Sequence, residues 1–243
     1  MVVRDLKTQY TQTILGPAWS ILRPLATMII FTIVFSMLLR IGSEGTPFTI
    51  FVYTALTAWT FFSSALGGVS NSLAAGMGLI SKVYFPRIIL PLSVLLSKLV
   101  DFFIAMILLV VMMVWYRIVP NALIIYLPLL ILMAMGAALG LGMWVAVTSV
   151  QYRDIGYLLN IITMALMYVS PVFYPASLIP ERYLTIYALN PMVGIIEGFR
   201  AAILSTNPMP WDFIGIGAIT TIILLVSGFL VFQRLESIIV DVS

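Results

Sequence analysis

The stretch IILPLSVLLSKLVDFFIAMILLVVMMVW, residues 88–115, decides how the chain must be read. Apart from Lys98 and Asp101 it holds no ionisable side chain, and it is longer than the roughly 20 residues a helix needs to cross a bilayer. A helix on a soluble protein keeps one polar face, and this one has none. The rest of the chain agrees. Of its 243 residues 62% are hydrophobic and 9% charged, against roughly a quarter charged in soluble domains. That is too little charge to coat a water-facing surface, so lipid must cover part of it and the chain is a polytopic membrane protein.

Working outward from 88–115, five further apolar runs reach or approach spanning length: 25–41, 48–69, 123–150, 156–173 and 213–232. The expected fold is all-α integral membrane, one permease-like domain of six transmembrane helices. Lys and Arg in the connections set its orientation. Arg4, Lys7, Arg23, Lys82, Arg87, Arg153 and Arg234 fall on one side, and Arg40, Arg117, Arg182 and Arg200 on the other. The first side is the richer, which places both termini and the loop LISKVYFPR, residues 79–87, in the cytoplasm. The first dozen residues show no apolar core and no small-residue cleavage site, so insertion is expected to rely on the spans themselves.

Two segments between or beside the spans are neither spanning nor simply polar. In residues 2–15, Val3, Leu6, Tyr10 and Ile14 recur at three- and four-residue intervals while Arg4, Asp5, Lys7, Gln9 and Gln12 fill the other face. That is the pattern of an amphipathic helix lying in the cytoplasmic interface, ended by Gly16-Pro17; a plain membrane anchor has the same pattern. Residues 175–205 alternate proline breaks at 175, 180 and 191 with apolar stretches too short to span. Such stretches read as two short re-entrant helices on the outer side, or as amphipathic helices lying flat there.

The chemistry available is narrow. There are no cysteines and no histidines, which removes disulfides, thiolate catalysis, the commonest general base and the commonest metal ligand. No G-x-x-x-x-G-K-[ST] occurs, so any ATPase must be another chain. No G-x-S-x-G occurs either, and Ser97 beside Lys98 cannot form a dyad because adjacent helical residues do not face each other. The chain is therefore expected to be no enzyme, to bind no metal or cofactor, and to have no nucleic-acid partner; its few cations are topology signals.

Lys98 and Asp101 are three residues apart, so they share a helix face and can pair. About 15 Å into an upright span they would sit near mid-membrane, where an ionisable pair marks function. If the span instead projects beyond the bilayer, the pair lies near the cytoplasmic boundary and holds structure. Gly136 and Gly140 form a G-x-x-x-G that signals tight helix packing without naming the partner. Phe31, Phe35, Tyr168, Phe173 and Tyr174 offer aromatic faces that suit apolar ligand surfaces, including the C–H faces of sugars, and equally suit lipid.

Four motifs then occur in order: VRDLKTQYTQTILGPAWSILRPL (3–25), QYRDIGYLLN (151–160), SPVFYP (170–175) and LNPM (189–192). Together they resemble the type-2 ABC transporter permeases that export O-antigen, capsular polysaccharide or teichoic acid. The resemblance implies a homodimer in a bacterial cytoplasmic membrane, working with two copies of a cytoplasmic ABC ATPase that carry the ATP and Mg. Its cargo would be a lipid-linked glycan. It implies that residues 74–87 form a coupling helix docking on the ATPase through Leu79, Ile80, Lys82, Tyr84 and Arg87, with Leu15 and Gly16 beside it. Pro86 and Pro91 would stiffen the link to the third span; a plain basic topology loop is the simpler reading of the same residues. It further implies that the first and fifth spans line the pathway, with Phe31, Phe35, Tyr168, Phe173 and Tyr174 as sugar contacts. Two other readings stay open: a type-2 ABC exporter of drugs or small molecules, and a gradient-driven carrier using Lys98 and Asp101.

Overall fold

The computed structural model describes residues 2, 18–38, 42–80, 85–152, 154–205 and 207–242, with backbone alone at 38, 77, 79–80, 150–151 and 235–242. Among these residues the chain is helical, without strands. Helix α1 is Trp19–Phe31 and continues as a π-helical segment, Thr32–Leu38. Then follow α2 (Phe48–Ile80), α3 (Ile89–Tyr116), a 3-10 turn (Ala122–Tyr126), α4 (Leu127–Gln151) and α5 (Ile155–Val169). Short turns lead to α6 (Leu184–Ala188), α7 (Pro191–Leu204) and α8 (Trp211–Val242).

Among the described residues, five segments are long and apolar enough to cross a membrane: Trp19–Met37, Phe48–Gly76, Ile89–Tyr116, Ala122–Ser149 and Trp211–Arg234. The chain is a multi-pass membrane protein. The run 156–173 behaves differently. Its helix stops at Val169, and 15 residues rise only about 22 Å, short of a hydrocarbon core of roughly 30 Å. Pro171 is the cause: the residue before a proline is pushed out of the α region, and Ser170 sits at φ −79°, ψ 153°. The first spanning helix also starts earlier than 25, at Trp19, and carries Pro24 inside it.

Helix α2 is the axis of the molecule. Most of its length is buried within the chain, including Ile50, Phe51, Val52 and Tyr53, as expected for a helix apolar on every side. It runs unbroken for 33 residues, about 50 Å. Residues 74–80 are therefore its last turns and do not open a separate coupling helix. Ala74, Ala75 and Leu79 favour helix, and Gly76 allows Leu90 of α3 to close in: a Cβ there would lie 2.5 Å from the Leu90 side chain. Residues 81–84 lie outside the described residues; 85–88 form a turn in which the Ile89 amide donates to the Pro86 carbonyl at 3.1 Å.

Glycines set the remaining contacts. A Cβ on Gly142 would meet Val69 of α2 at 2.5 Å, and one on Gly140 would meet the α8 backbone at Leu224 at 2.6 Å. Gly228 of α8 faces the Gly140 carbonyl in turn. The G-x-x-x-G thus packs α4 against α8 of its own chain. Helix α7 fills the space between α2, α4 and α8, and all 14 of its residues are buried.

The connections at one end of the bundle are tied together. Glu44, in the turn after α1, accepts hydrogen bonds from Ser177 Oγ at 3.0 Å and from Asn207. Gly45 beside it takes φ +85°, a value glycine adopts freely. Past α3, the Asn121 amide donates to Ser205 Oγ at 2.9 Å.

Candidate functional site

Four of the aromatic residues singled out in the sequence meet at that end. Phe31 stacks on Phe173 with ring centroids 3.7 Å apart, and Phe35 stacks on Phe173 at 5.3 Å. Phe31 and Phe35 are 5.6 Å apart, and Tyr168 lies 6.0 Å from Phe173 and 6.3 Å from Phe31. The cluster joins α1 to the end of α5 and the segment after it. Phe173 is fully buried at its base, Phe31 and Phe35 are half-buried, and Tyr168 is 47% exposed. In this arrangement Tyr168 presents an open stacking face, whereas Phe173 supports the others from below.

Tyr174 has a different place. Its hydroxyl is shared between the carbonyls of Tyr168 (3.0 Å) and Val169 (2.8 Å), which are among the acceptors a helix leaves unsatisfied at its C-terminus. Tyr187 donates to the Tyr174 oxygen at 3.3 Å.

The motif SPVFYP is held from two directions. Asn190 caps α7, its side-chain oxygen accepting from the Met192 amide at 3.1 Å, with Pro191 at the first helical position. The other end of the same amide donates to Ser170 Oγ at 2.8 Å. The motifs LNPM and SPVFYP, twenty residues apart in sequence, are therefore two sides of one joint.

Arg200 makes the second hold. Its side chain is 2% exposed. One guanidinium nitrogen donates to Val172 O at 3.0 Å, and another donates to Glu197 Oε1 at 2.9 Å and Tyr174 O at 3.3 Å. Nε reaches the Phe51 carbonyl at 3.5 Å, and the guanidinium carbon lies 3.5 Å above the Phe51 ring. Glu197 Oε1 also accepts from the Ala176 amide at 3.1 Å. The sequence reading counted Arg200 as an outer-loop cation. It is instead an internal joint, which removes it from the count of connection cations. The signal was available: Glu197 and Arg200 stand three apart in an otherwise apolar helix, the same pattern that singled out Lys98 and Asp101.

Lys98 Nζ lies 3.7 Å from Asp101 Oδ2, and Ser20 Oγ of α1 donates to Asp101 Oδ1 at 3.3 Å. The pair packs over α2 at Gly68, where a Cβ would be 3.7 Å from Lys98 Cε. Of the coupling residues, Arg87 is half-buried in the turn before α3, and Leu79 and Ile80 end α2. Lys82, Tyr84, Leu15 and Gly16 lie outside the described residues, as does nearly all of the interface helix over 2–15.

The residue pattern of the ABC-2 type transporter family matches positions 1–204. The O-antigen export system permease protein RfbA of Myxococcus xanthus is 29% identical over 203 residues, 83% of this chain and 77% of that protein. A protein of the same name from Klebsiella pneumoniae is 26% identical over 96% of this chain and 89% of its own length. The polysialic acid transport protein KpsM of Escherichia coli is 23% identical, covering 97% and 92%.

Proposed function

The chain belongs to the ABC-2 type transporter family, and on that premise we propose that it is the membrane subunit of an ATP-driven exporter of a lipid-linked polysaccharide, of the O-antigen or capsule class. It sits in the bacterial cytoplasmic membrane with both termini inside. Hydrolysis falls to a separate cytoplasmic ATPase, two copies of which serve two copies of this chain. The printed names of the relatives support the cargo class. The observation that carries the reading is the cluster of Phe31, Phe35, Tyr168 and Phe173, which gathers stacking faces from two helices at one end of the bundle.

The tied connections support six crossings. The turns after α1 and α3 and the segment after α5 share one end. Helix α4 must therefore cross to the other end, and α5 with its extension must return. The roughly 8 Å that α5 lacks is made up by the largely buried SPVFYP segment, whose Val172 and Tyr174 carbonyls accept from Arg200, as membrane depth demands of non-helical backbone. Helix α7, enclosed on all sides, fits a re-entrant element and not a helix lying flat. Helices α1 and α5 leave Ile30, Met37, Tyr157, Ile161 and Met164 exposed, an apolar face that a second copy would cover.

Depth along α2 disfavours the gradient-driven reading. Gly68 lies about 30 Å from Phe48, one full hydrocarbon thickness from the outer end. Ser20 stands in the first turn of α1. Both lengths support a position for Lys98 and Asp101 near the cytoplasmic boundary over one at mid-membrane. The last 18 Å or so of α2, and the start of α3, then project into the cytoplasm as a hairpin. Its described flanks, the end of α2 at 79–80 and the turn at 85–88, are where a partner ATPase would push.

Purification of the full chain from its native membrane, followed by identification of bound protein and lipid by mass spectrometry, tests this. The expected result is an ABC ATPase in equal amount and a glycan on a lipid carrier. Transport by the purified chain alone in liposomes driven by a proton gradient would overturn it.

A further inference from the structure

The Arg200 joint connects three parts that the aromatic cluster depends on. Through Phe51 it grips the outer end of α2, the helix whose other end forms the cytoplasmic hairpin. Through Val172 O and Tyr174 O it grips the backbone on either side of Phe173. Through Glu197 it is fixed to α7, and Glu197 fixes the next residue pair of the loop through the Ala176 amide. Phe173 itself is the fully buried ring on which Phe31 and Phe35 stack. The carbonyls on either side of it are both held by one guanidinium, which ties its position to Arg200.

We propose that Arg200 is a positioning residue for export, locking Phe173 and the aromatic cluster to the outer end of α2 so that displacement of α2 moves the cluster with it. The proposal rests on the exporter reading given above. A planar fork is required, because carbonyls of Val172, Tyr174 and Phe51 and the Glu197 carboxylate approach from different directions. A lysine keeps the charge and the Glu197 pair but offers a single point of donation. The role thus differs from charge neutralisation alone, which lysine would satisfy, and the two separate experimentally.

The chain has no cysteine, so Val172→Cys supplies a single thiol at a fully buried position. In the complete complex with its ATPase, the rate of labelling by a water-soluble maleimide reads how firmly the loop is held. With Arg200 present, labelling is slow. Arg200→Lys and Arg200→Gln are each expected to speed it at least tenfold and to cut glycan export at least tenfold, while the ATPase stays bound and continues to hydrolyse ATP. Glu197→Gln, which leaves the carbonyl bonds in place, is expected to fall between. Slow labelling and normal export in Arg200→Lys would overturn the proposal in favour of a charge-only role. Failure of both Arg200 variants to insert as folded chains would overturn it in favour of a folding role. The labelling rate does not depend on what is exported: a parent protein that moves no glycan would sink the exporter reading and leave this test standing.

Discussion

Lys98–Asp101 and Glu197–Arg200 are the same device in sequence, opposite charges three residues apart on an apolar helix, and they are used differently. The first pair is separated by 3.7 Å and keeps 20% and 16% of its side-chain surface exposed. The second is separated by 2.9 Å with 2% and 10% exposed, and is surrounded by backbone carbonyls. A partly exposed charged pair keeps some of its hydration and gives up less if broken. A pair removed from water depends on its partner and on the groups bonded to it, so removing one partner strands the other. Burial, and not the pairing pattern, decides which of the two a sequence motif becomes.

The sharpest way to break the comparison is to truncate the acid of each pair. Glu197→Ala leaves the Arg200 guanidinium buried without its counter-ion and the Ala176 amide without its acceptor. The expected loss is about 3–5 kcal/mol, read as a large fall in the thermal unfolding midpoint of the purified chain in detergent. A fall no larger than that of a surface substitution would show that water reaches the joint and that the two pairs are alike.

How far the sequence carried the reading follows from the same physics. The long helices were legible because nothing but a bilayer accommodates runs such as 88–115, and α3 begins within one residue of the expected start. The extension of α2 past Val69 was not, because Gly76 and Gly78 look like breaks until Leu90 is seen packed into the space Gly76 leaves. The apolar pattern runs on past Pro171 to Phe173, and pattern alone cannot tell a buried turn from the last turn of a helix. The aromatic residues were recognised by type, but their meeting depends on that turn folding Phe173 back onto Phe31. Arg200 was assigned to a loop because its neighbourhood is rich in proline, and only the packing of α7 between three helices shows it to be internal.

A smaller effect is expected at the boundary pair. Asp101→Ala removes a loose ion pair and the acceptor of the Ser20 hydroxyl, while Lys98 can extend its stem toward headgroups. The expected loss is about 1 kcal/mol, with transport by the complex retained and no change in its pH dependence. A gradient-driven carrier would lose transport altogether in this variant, so the result weighs on function as well as on stability.

The smallest effect, and the one that locates the pair, comes from Ser20. Its hydroxyl is the link that ties α1 to Asp101 of α3 at 3.3 Å, a distance at the long end for an O–H donor. Ser20→Ala is expected to cost about 0.5 kcal/mol, because the carboxylate keeps Lys98 and partial hydration. In a double-mutant cycle, the serine substitution should then cost nothing further once Asp101 is alanine, since the two losses share one interaction. Additive losses would mean that Ser20 acts elsewhere. The ruler that places its first-turn position beside Asp101 would then fail, and with it the argument that the pair lies at the cytoplasmic edge and not in the middle of the membrane.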